Sequence, residues 1–278
     1  MTKLLAIETT ELRGSVAVAE GGILLVERPL AENQRSAQSL VPAIESILES
    51  QGWTPPELDA IAVAVGPGSF TGLRVGVTTA KVLAWACRAE LFGVDTLEAA
   101  AWQVAASLAN ILGEDNSNPV FEQVLARGGA TITIGINAQR GDVTSRDFLV
   151  RLGSPVPIPL GKKFRLEPLV DWLAPERKGV TLSEVHLASV VSDKNAAGGL
   201  SPAPDKPFPL LYAGPALNSR RIATSAEQRL AFLPLPHGVP SAAGVALAAA
   251  ASPKTDPFTL LPVYSRESAA EEKRKQRQ

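Results

Sequence analysis

The glycine-rich stretch GPGSFTG, from Gly66 to Gly72, is the first place in the chain where the residue types suggest chemistry. It follows an apolar, strand-like run and opens a helix-like one. The N-terminus of a helix offers N–H groups and the positive end of its dipole to an anion. However, no Lys follows as in a Walker A loop, and the spacing misses G-x-G-x-x-G by one residue. Two interpretations stay open: a phosphate-binding loop, or glycines that permit a tight turn and close packing.

An acid and two hydroxyls end the first strand-like run, at Glu8, Thr9 and Thr10. Such a set could orient Mg²⁺ or a phosphate, although threonine at a strand end is also ordinary strand chemistry. Together with the glycine-rich stretch they form one candidate nucleotide or phosphate loop, made of Glu8, Thr9, Thr10, Gly66, Gly68, Ser69 and Thr71.

Other reactive residue types are scarce. The two histidines, His186 and His237, have no spaced Cys or carboxylate partners, so no metal site is expected. Cys87 lies in an apolar helix-like run and is expected to be buried and inert. Ser69 lacks the G-x-S-x-G context of a nucleophile elbow. No nucleophile–base set stands out, and no catalytic residue is expected.

The composition limits the classes of function. The chain has 278 residues, 45% of them apolar, and its 27 basic and 28 acidic residues give a net charge of -1. Nothing global therefore directs it to nucleic acid or to a membrane surface. One cysteine excludes an internal disulfide and fits a reducing compartment, and no stretch predicts a signal peptide or a membrane span. These features predict a cytoplasmic protein.

The first hundred residues carry the clearest secondary-structure patterns. Three β-rich runs separated by glycine turns predict a meander of adjacent strands: Leu4–Thr9, Ser15–Ala19 and Ile23–Arg28. The next run predicts an amphipathic helix over Gln38–Gln51 with Pro42 in its first turn. The apolar face of that helix carries Leu40, Ile44, Ile47 and Leu48. A continuous apolar strand, LDAIAVAV, follows, and this order of elements predicts a mixed α/β layer structure.

The next helix, predicted over Thr71–Arg88, is apolar around most of its girth, so it must be covered on more than one side. Small residues recur every four positions and leave a smooth groove for a close helix contact: Gly72, Gly76, Ala80 and Ala84. Two interpretations stay open here as well. The helix either lies wholly inside its own domain, or part of its surface meets another chain.

Beyond about residue 112 the patterns weaken. Strands are predicted at ATITIGI, DFLVRL and PLLYAG, and an alanine-rich helix at PSAAGVALAAAAS. Composition predicts excursions near 112–127 and 191–209, the second of them weakly ordered, and a frayed C-terminal tail. No internal repeat is visible. We therefore expect two lobes, residues 1–105 and residues 106–278.

Seven segments resemble, in this order, the bacterial TsaB family, also called YeaZ: LLAIETT, SVAVAEGG, QSLVPAIESIL, GPGSFTGLRVG, GVDTLEA, INAQRGDV and PVYSRESAA. The resemblance implies an actin-like ATPase fold (the acetate kinase, Hsp70 and actin group), with two α/β lobes of mixed sheets flanked by helices. It also implies a non-catalytic subunit in the synthesis of threonylcarbamoyladenosine at position 37 of tRNA. Such a subunit dimerises with the TsaD transferase and supports it.

The resemblance further implies partners and the surface that they use. TsaD is the homologous transferase, TsaE is an ATPase that completes the assembly, tRNA is involved indirectly, and a homodimer is possible. No cofactor is required, and weak ATP or ADP binding is possible at a vestigial loop. The family's dimer surface consists of two helices, here about Gln38–Gln51 and Thr71–Arg88. The expected interface residues are Leu40, Ile44, Ile47, Leu48, Gly72, Arg74, Val75, Gly76, Thr79, Ala80 and Leu83.

The chain departs from the family pattern at three places. Glu8 replaces the usual Asp, Ser36 stands where a His is frequent, and the usual DAR-GEVY begins here with Asn137 and loses an acid. Two other functions stay open. An autonomous ATP-binding enzyme of the same fold would need acids on both sides of a phosphate cleft. A metalloprotease would need a histidine pair, and the sequence shows none.

Overall fold

The computed structural model describes residues 1–32, 36–114, 119–138, 140–173, 208–218, 231–233 and 237–266. The chain divides into two compact units, one of Met1–Ala99 with Pro240–Gln278 and the other of Ala100–Val239. The boundary therefore lies near residue 100 rather than 105. The end of the chain returns to the first unit, which corrects the expectation that all of 106–278 forms the second lobe.

The first unit is built on a five-stranded sheet in the order β3-β2-β1-β4-β5. Its strands are β1 (Lys3–Glu8), β2 (Ser15–Glu20), β3 (Ile23–Pro29), β4 (Ala60–Gly66) and β5 (Glu90–Asp95). Strands β1, β2 and β3 are antiparallel neighbours, which confirms the predicted meander. Strands β4 and β5 add on in parallel. Every residue of β4 is buried, as its continuous apolar sequence indicates for a central strand.

Two helices cover one face of this sheet, α1 (Ser36–Ser50) and α2 (Phe70–Cys87), with a short 3₁₀ turn at Pro55–Glu57 between them. Helix α1 begins two residues earlier than the sequence predicts. Pro42 therefore lies in its second turn rather than its first. Ser69 caps α2, since its side chain accepts a hydrogen bond from the Gly72 N–H at 3.4 Å.

The alanine-rich helix near the end of the chain, Ala242–Ala249, packs on the strands of the first sheet. Ser15 Oγ accepts the N–H of Ala242 at 2.8 Å, and Glu27 Oε1 accepts that of Ala243 at 3.1 Å. Gly244 approaches so closely that a Cβ there would lie 2.3 Å from Ala99 O. These contacts explain why the final segment belongs to the first unit.

The second unit contains another five-stranded sheet, in the order β10-β9-β6-β7-β8. The confirmed strand predictions correspond to β6, β7 and β9, while β8 was not predicted because its start is interrupted by prolines. Much of the 112–127 excursion is helical, whereas 191–207 and the C-terminal tail from residue 267 lie outside the described residues. The elements after β5 are, in chain order, α3 (Thr96–Glu114), α4 (Pro119–Arg127), β6 (Gly129–Asn137), β7 (Asp142–Arg151), β8 (Ile158–Pro168), α5 (Leu169–Trp172), β9 (Leu210–Ala213) and β10 (Ala231–Phe232). The alanine-rich helix described above, α6 (Ala242–Ala249), belongs to the first unit.

The two sheets share one strand topology. Numbering each sheet from its own first strand gives the order 3-2-1-4-5 in both units. In both, the first three strands are antiparallel neighbours and the fourth lies parallel to the first. The molecule thus contains a structural duplication, although the sequence shows no repeat. Asn137 ends β6 in the second unit as Glu8 ends β1 in the first.

Candidate functional site

The end of β1 and the start of α2 touch through their backbones. Thr9 Oγ1 donates to Gly72 O at 2.8 Å, and both groups are buried. A Cβ on Gly72 would lie 1.8 Å from Thr9 O, and one on Gly76 would lie 2.2 Å from Thr9 Oγ1. Real Cβ atoms do not approach other atoms so closely. These two glycines are therefore required for the first strand to meet the helix.

The remaining loop glycines also make room for the chain itself. The Ser69 N–H donates to Thr10 O at 2.8 Å, and a Cβ on Gly68 would lie 2.4 Å from Thr10 Cβ. Gly66 adopts a φ of 122°, and a Cβ there would lie 2.0 Å from Val263 O. The loop is thus enclosed by the end of β1 on one side and by residues near the C-terminus on the other.

Glu8 turns inward instead of facing solvent. Its side chain is fully buried, and its Oε1 accepts hydrogen bonds from both the N–H and the hydroxyl of Thr10. Among the described residues, Oε2 has no hydrogen-bond partner. Burial raises the pKa of Glu8 to about 8, and the neighbouring Glu11 adds to that rise. At neutral pH the folded protein therefore favours a protonated Glu8, which is a poor ligand for Mg²⁺.

The structure brings the candidate loop residues together but uses most of them internally. Thr9 and Thr10 are buried, and the amides of Ser69 and Gly72 already have acceptors, while only the side chains of Ser69 and Thr71 are exposed. The described part of the chain holds no group of three His, Cys, Asp or Glu side chains suited to a metal ion. The geometry favours the second interpretation of the loop, in which glycines permit close packing.

The residues expected at a docking face divide into two groups. Leu40, Ile44, Ile47 and Leu48 of α1 are buried in the core of the first unit, as are Gly72, Gly76 and Ala80 of α2. Val75, Thr79 and Leu83 are half-buried, and Arg74 is exposed. The small-residue ridge of α2 therefore faces the chain's own sheet. This corrects the prediction that the ridge contacts a partner.

The outward faces of α1 and α2 carry a different apolar set. Val41 of α1 is 51% exposed, and Val82 and Trp85 of α2 are 58% and 67% exposed. The two helices pack against each other, so their outward faces lie on the same side of the sheet. Large apolar side chains so far exposed on adjacent helices are typical of a protein-binding surface. The sequence analysis did not single out these three positions, because it could not show which stripe of each helix faces outward.

Sequence reasoning missed a third element of this surface, residues 254–264, which we call the C-terminal strap. Its main chain is anchored to the sheet, because Thr255 N–H donates to Leu91 O at 2.8 Å and Val263 N–H donates to Val65 O at 2.7 Å. The Tyr264 ring lies 4.6 Å from that of Phe70 between centroids. The motif PVYSRESAA was the only signal that could have drawn attention to it.

None of the helices within the described ranges is long and apolar enough to cross a bilayer.

The chain matches known proteins in sequence. Residues 8–144 match the family model of TsaD, described as tRNA N6-adenosine threonylcarbamoyltransferase. Over 95 residues the chain is 35% identical to the tRNA threonylcarbamoyladenosine biosynthesis protein TsaB of Bacillus subtilis, covering 34% of this chain and 42% of that protein. Over 182 residues it is 32% identical to the tRNA N6-adenosine threonylcarbamoyltransferase of Methylorubrum populi, covering 58% of this chain and 48% of that protein. The match therefore spans less than half the length of each of these relatives.

The chain also resembles a solved structure along most of its length. YeaZ from Pseudomonas aeruginosa superposes with a TM-score of 0.61 at 21% identity, covering 95% of this chain and all of that one. Two α/β units, each a mixed five-stranded sheet flanked by helices, define a protein of the actin-like fold. Within that class, the sequence matches and this structural likeness make the chain similar to the TsaB (YeaZ) and TsaD proteins, with the family-model match lying over residues 8–144.

Proposed function

We propose that this chain is the non-catalytic subunit of the complex that makes threonylcarbamoyladenosine at position 37 of tRNA, and that it dimerises with and supports a TsaD-like transferase. The observation that carries the proposal is the exposed apolar surface of α1 and α2, formed by Val41, Val82 and Trp85. The names of the sequence relatives supply the pathway, since they include both a TsaB protein and threonylcarbamoyltransferases.

The candidate loop supports a role without catalysis. The amides of Ser69 and Gly72 and the hydroxyl of Thr9 form hydrogen bonds within the chain itself, and Glu8 is buried. In the second unit the equivalent strand ends in Asn137, whose side-chain amide donates to Pro215 O at 3.1 Å. We infer that the chain requires no cofactor of its own and that any binding of ATP or ADP is weak.

The same proposal includes the wider assembly. A TsaE-like ATPase completes the complex, tRNA is reached through the transferase, and a homodimer forms through the α1 and α2 surface when the transferase is absent. All of these partners belong to the cytoplasm.

Replacing Val82 with Asp tests the proposal. An exposed carboxylate on α2 leaves the fold intact but places an unpaired charge in the apolar contact, so binding to the TsaD-like subunit should weaken by at least about tenfold. The matched control is Val170→Asp in the second unit, where the valine is also exposed. Calorimetric titration measures binding, and nucleoside mass spectrometry of the reconstituted reaction measures the modified adenosine.

The proposal predicts that the reaction needs the TsaD-like subunit and that the isolated chain shows no transferase, kinase or peptidase activity. Conversion of threonylcarbamoyl-adenylate and tRNA by this chain alone would contradict it. So would equal binding and modification by the two valine variants.

A further inference from the structure

The C-terminal strap lies along α2 in the opposite direction to the helix. Near the start of α2, Arg74 Nε donates to the Tyr264 hydroxyl at 3.3 Å. Two turns further along, Lys81 Nζ donates to Leu260 O at 3.0 Å. Successive positions along the helix therefore meet earlier positions in the strap. Helix and strap therefore lie side by side and antiparallel.

The strap directs apolar side chains to solvent on this surface. Phe258 is 76% exposed and Leu261 is 69% exposed, whereas Leu260 between them is buried against Gly93 and Val65. The buried residue fixes the segment to the unit while its neighbours point outward. Exposed apolar side chains therefore lie on both the strap and α2, and the contacts of Arg74 with Tyr264 and of Lys81 with Leu260 join the two segments.

The charges of this surface have one sign on the helix. From Phe70 to Arg88, α2 and its cap carry Arg74, Lys81 and Arg88 and no acidic residue. Neither Arg74 nor Lys81 is paired with a carboxylate in the part of the chain that the structure describes. The Arg74 guanidinium instead lies 4.0 Å from the centre of the Phe70 ring. An exposed guanidinium positioned over an aromatic ring can form an ion pair with an acidic group of another protein.

We propose that the strap and α2 form a single docking surface, and that it binds an apolar segment of the partner whose carboxylates meet Arg74 and Lys81. The inference rests on the proposed function, because it names the transferase subunit as the protein that supplies this segment. The strap thus has a binding role in addition to covering the sheet edge.

The observations favour a protein segment over RNA. The outward side chains include aliphatic groups, Val82 and Leu261, which neither stack on bases nor bind phosphates. The cations on α2 are few, namely Arg74, Lys81 and Arg88. A surface of this composition resembles the apolar core of a protein interface with a few charges at its rim.

Calorimetric titration of the full chain with the TsaD-like subunit tests the inference. We expect Leu261→Asp to weaken binding by at least about tenfold. Phe258→Asp is the second variant, and the matched control is Leu125→Asp on α4, where the leucine is also exposed. Melting curves establish that the variants are folded. Affinity for wild type should fall with added salt, and Arg74→Gln should reduce that dependence.

The outcomes distinguish a failure of the strap inference from a failure of the proposed function. If Leu261→Asp and Phe258→Asp bind as wild type does while Val82→Asp does not, the strap inference is overturned and the proposed function stands. If wild type does not bind the TsaD-like subunit, the proposed function falls and the strap inference falls with it. If the strap variants keep that binding but lose affinity for a tRNA transcript, the surface binds RNA and the inference is wrong.

Discussion

Glu8 is a strand-end acid that the fold buries. Its side chain folds back onto the N–H and hydroxyl of Thr10 and is removed from solvent. A buried carboxyl is easier to accommodate as the neutral acid, which accounts for the raised pKa. From the residue type alone, a ligand for Mg²⁺ or phosphate was one of two open interpretations. The fold instead makes Glu8 part of the packing beneath the glycine-rich loop.

Stability should therefore depend on pH through Glu8. Its pKa is about 8 in the folded protein against an ordinary 4.5, so between these values the folded state holds a proton that the unfolded chain releases. The free energy of unfolding should fall as pH rises from about 4.5 to about 8, by at most about 1.4 kcal/mol per pH unit from this group. Denaturant titrations at several pH values should show a smaller slope for Glu8→Gln.

Glu11 provides the control for that measurement. Burial raises its pKa to about 7, so it contributes a slope of the same sign over a narrower range. Glu11→Gln should remove this smaller contribution and leave that of Glu8. Identical slopes for wild type and Glu8→Gln would show that the buried carboxyl does not titrate in this range.

At the scale of elements, sequence patterns predicted most strands and helices because those patterns are local. The continuous apolar run of β4 and the glycine turns of the β1–β3 meander are examples. The small-residue spacing of α2 marked a close contact, but the contact is made with the end of a strand and not with the helix that the spacing was expected to meet. It could not show the direction of that contact, because small residues admit whichever neighbour the fold provides. Here the neighbour is Thr9, at the end of the chain's own first strand.

Gly72→Ala tests the fit between α2 and β1. The added Cβ would lie 1.8 Å from Thr9 O, so helix and strand must separate, at a cost of about 1–3 kcal/mol or more. The control is Gly113→Ala in α3, where a Cβ meets nothing within 4 Å and should add about 0.5–1 kcal/mol of stability. Melting curves should show opposite shifts. Two small shifts of the same sign would mean that the β1–α2 contact is looser than the structure describes.

At the scale of the whole molecule, the sequence could not reveal which lobe owns the C-terminal segment. Composition predicted the alanine-rich helix α6, but its assignment depends on contacts with β1 to β5, which precede it by more than a hundred residues. The duplicated strand order was hidden for a related reason. The topology is defined by which strands are neighbours, and many different sequences can form the same strand order.

A chain that ends at Val239 tests this assignment. It lacks α6 and the strap, so one side of the first sheet loses its cover while the second sheet keeps all its strands. Hydrogen exchange followed by mass spectrometry should show loss of protection in β1 and β2, with β6 and β7 still protected. Full protection of β1 in the shortened chain would place the true boundary elsewhere.

The return of the C-terminal segment to the first unit has a consequence for biosynthesis. During translation residues 1–99 leave the ribosome first, but their sheet lacks its cover until residues 240–266 have been added. At about 5–20 residues per second, the intervening 100–239 occupy the ribosome for on the order of ten seconds. The second unit can fold in that interval, whereas the first must wait for residues 240–266. A partner that binds the strap therefore selects chains in which residues 254–264 have already been made.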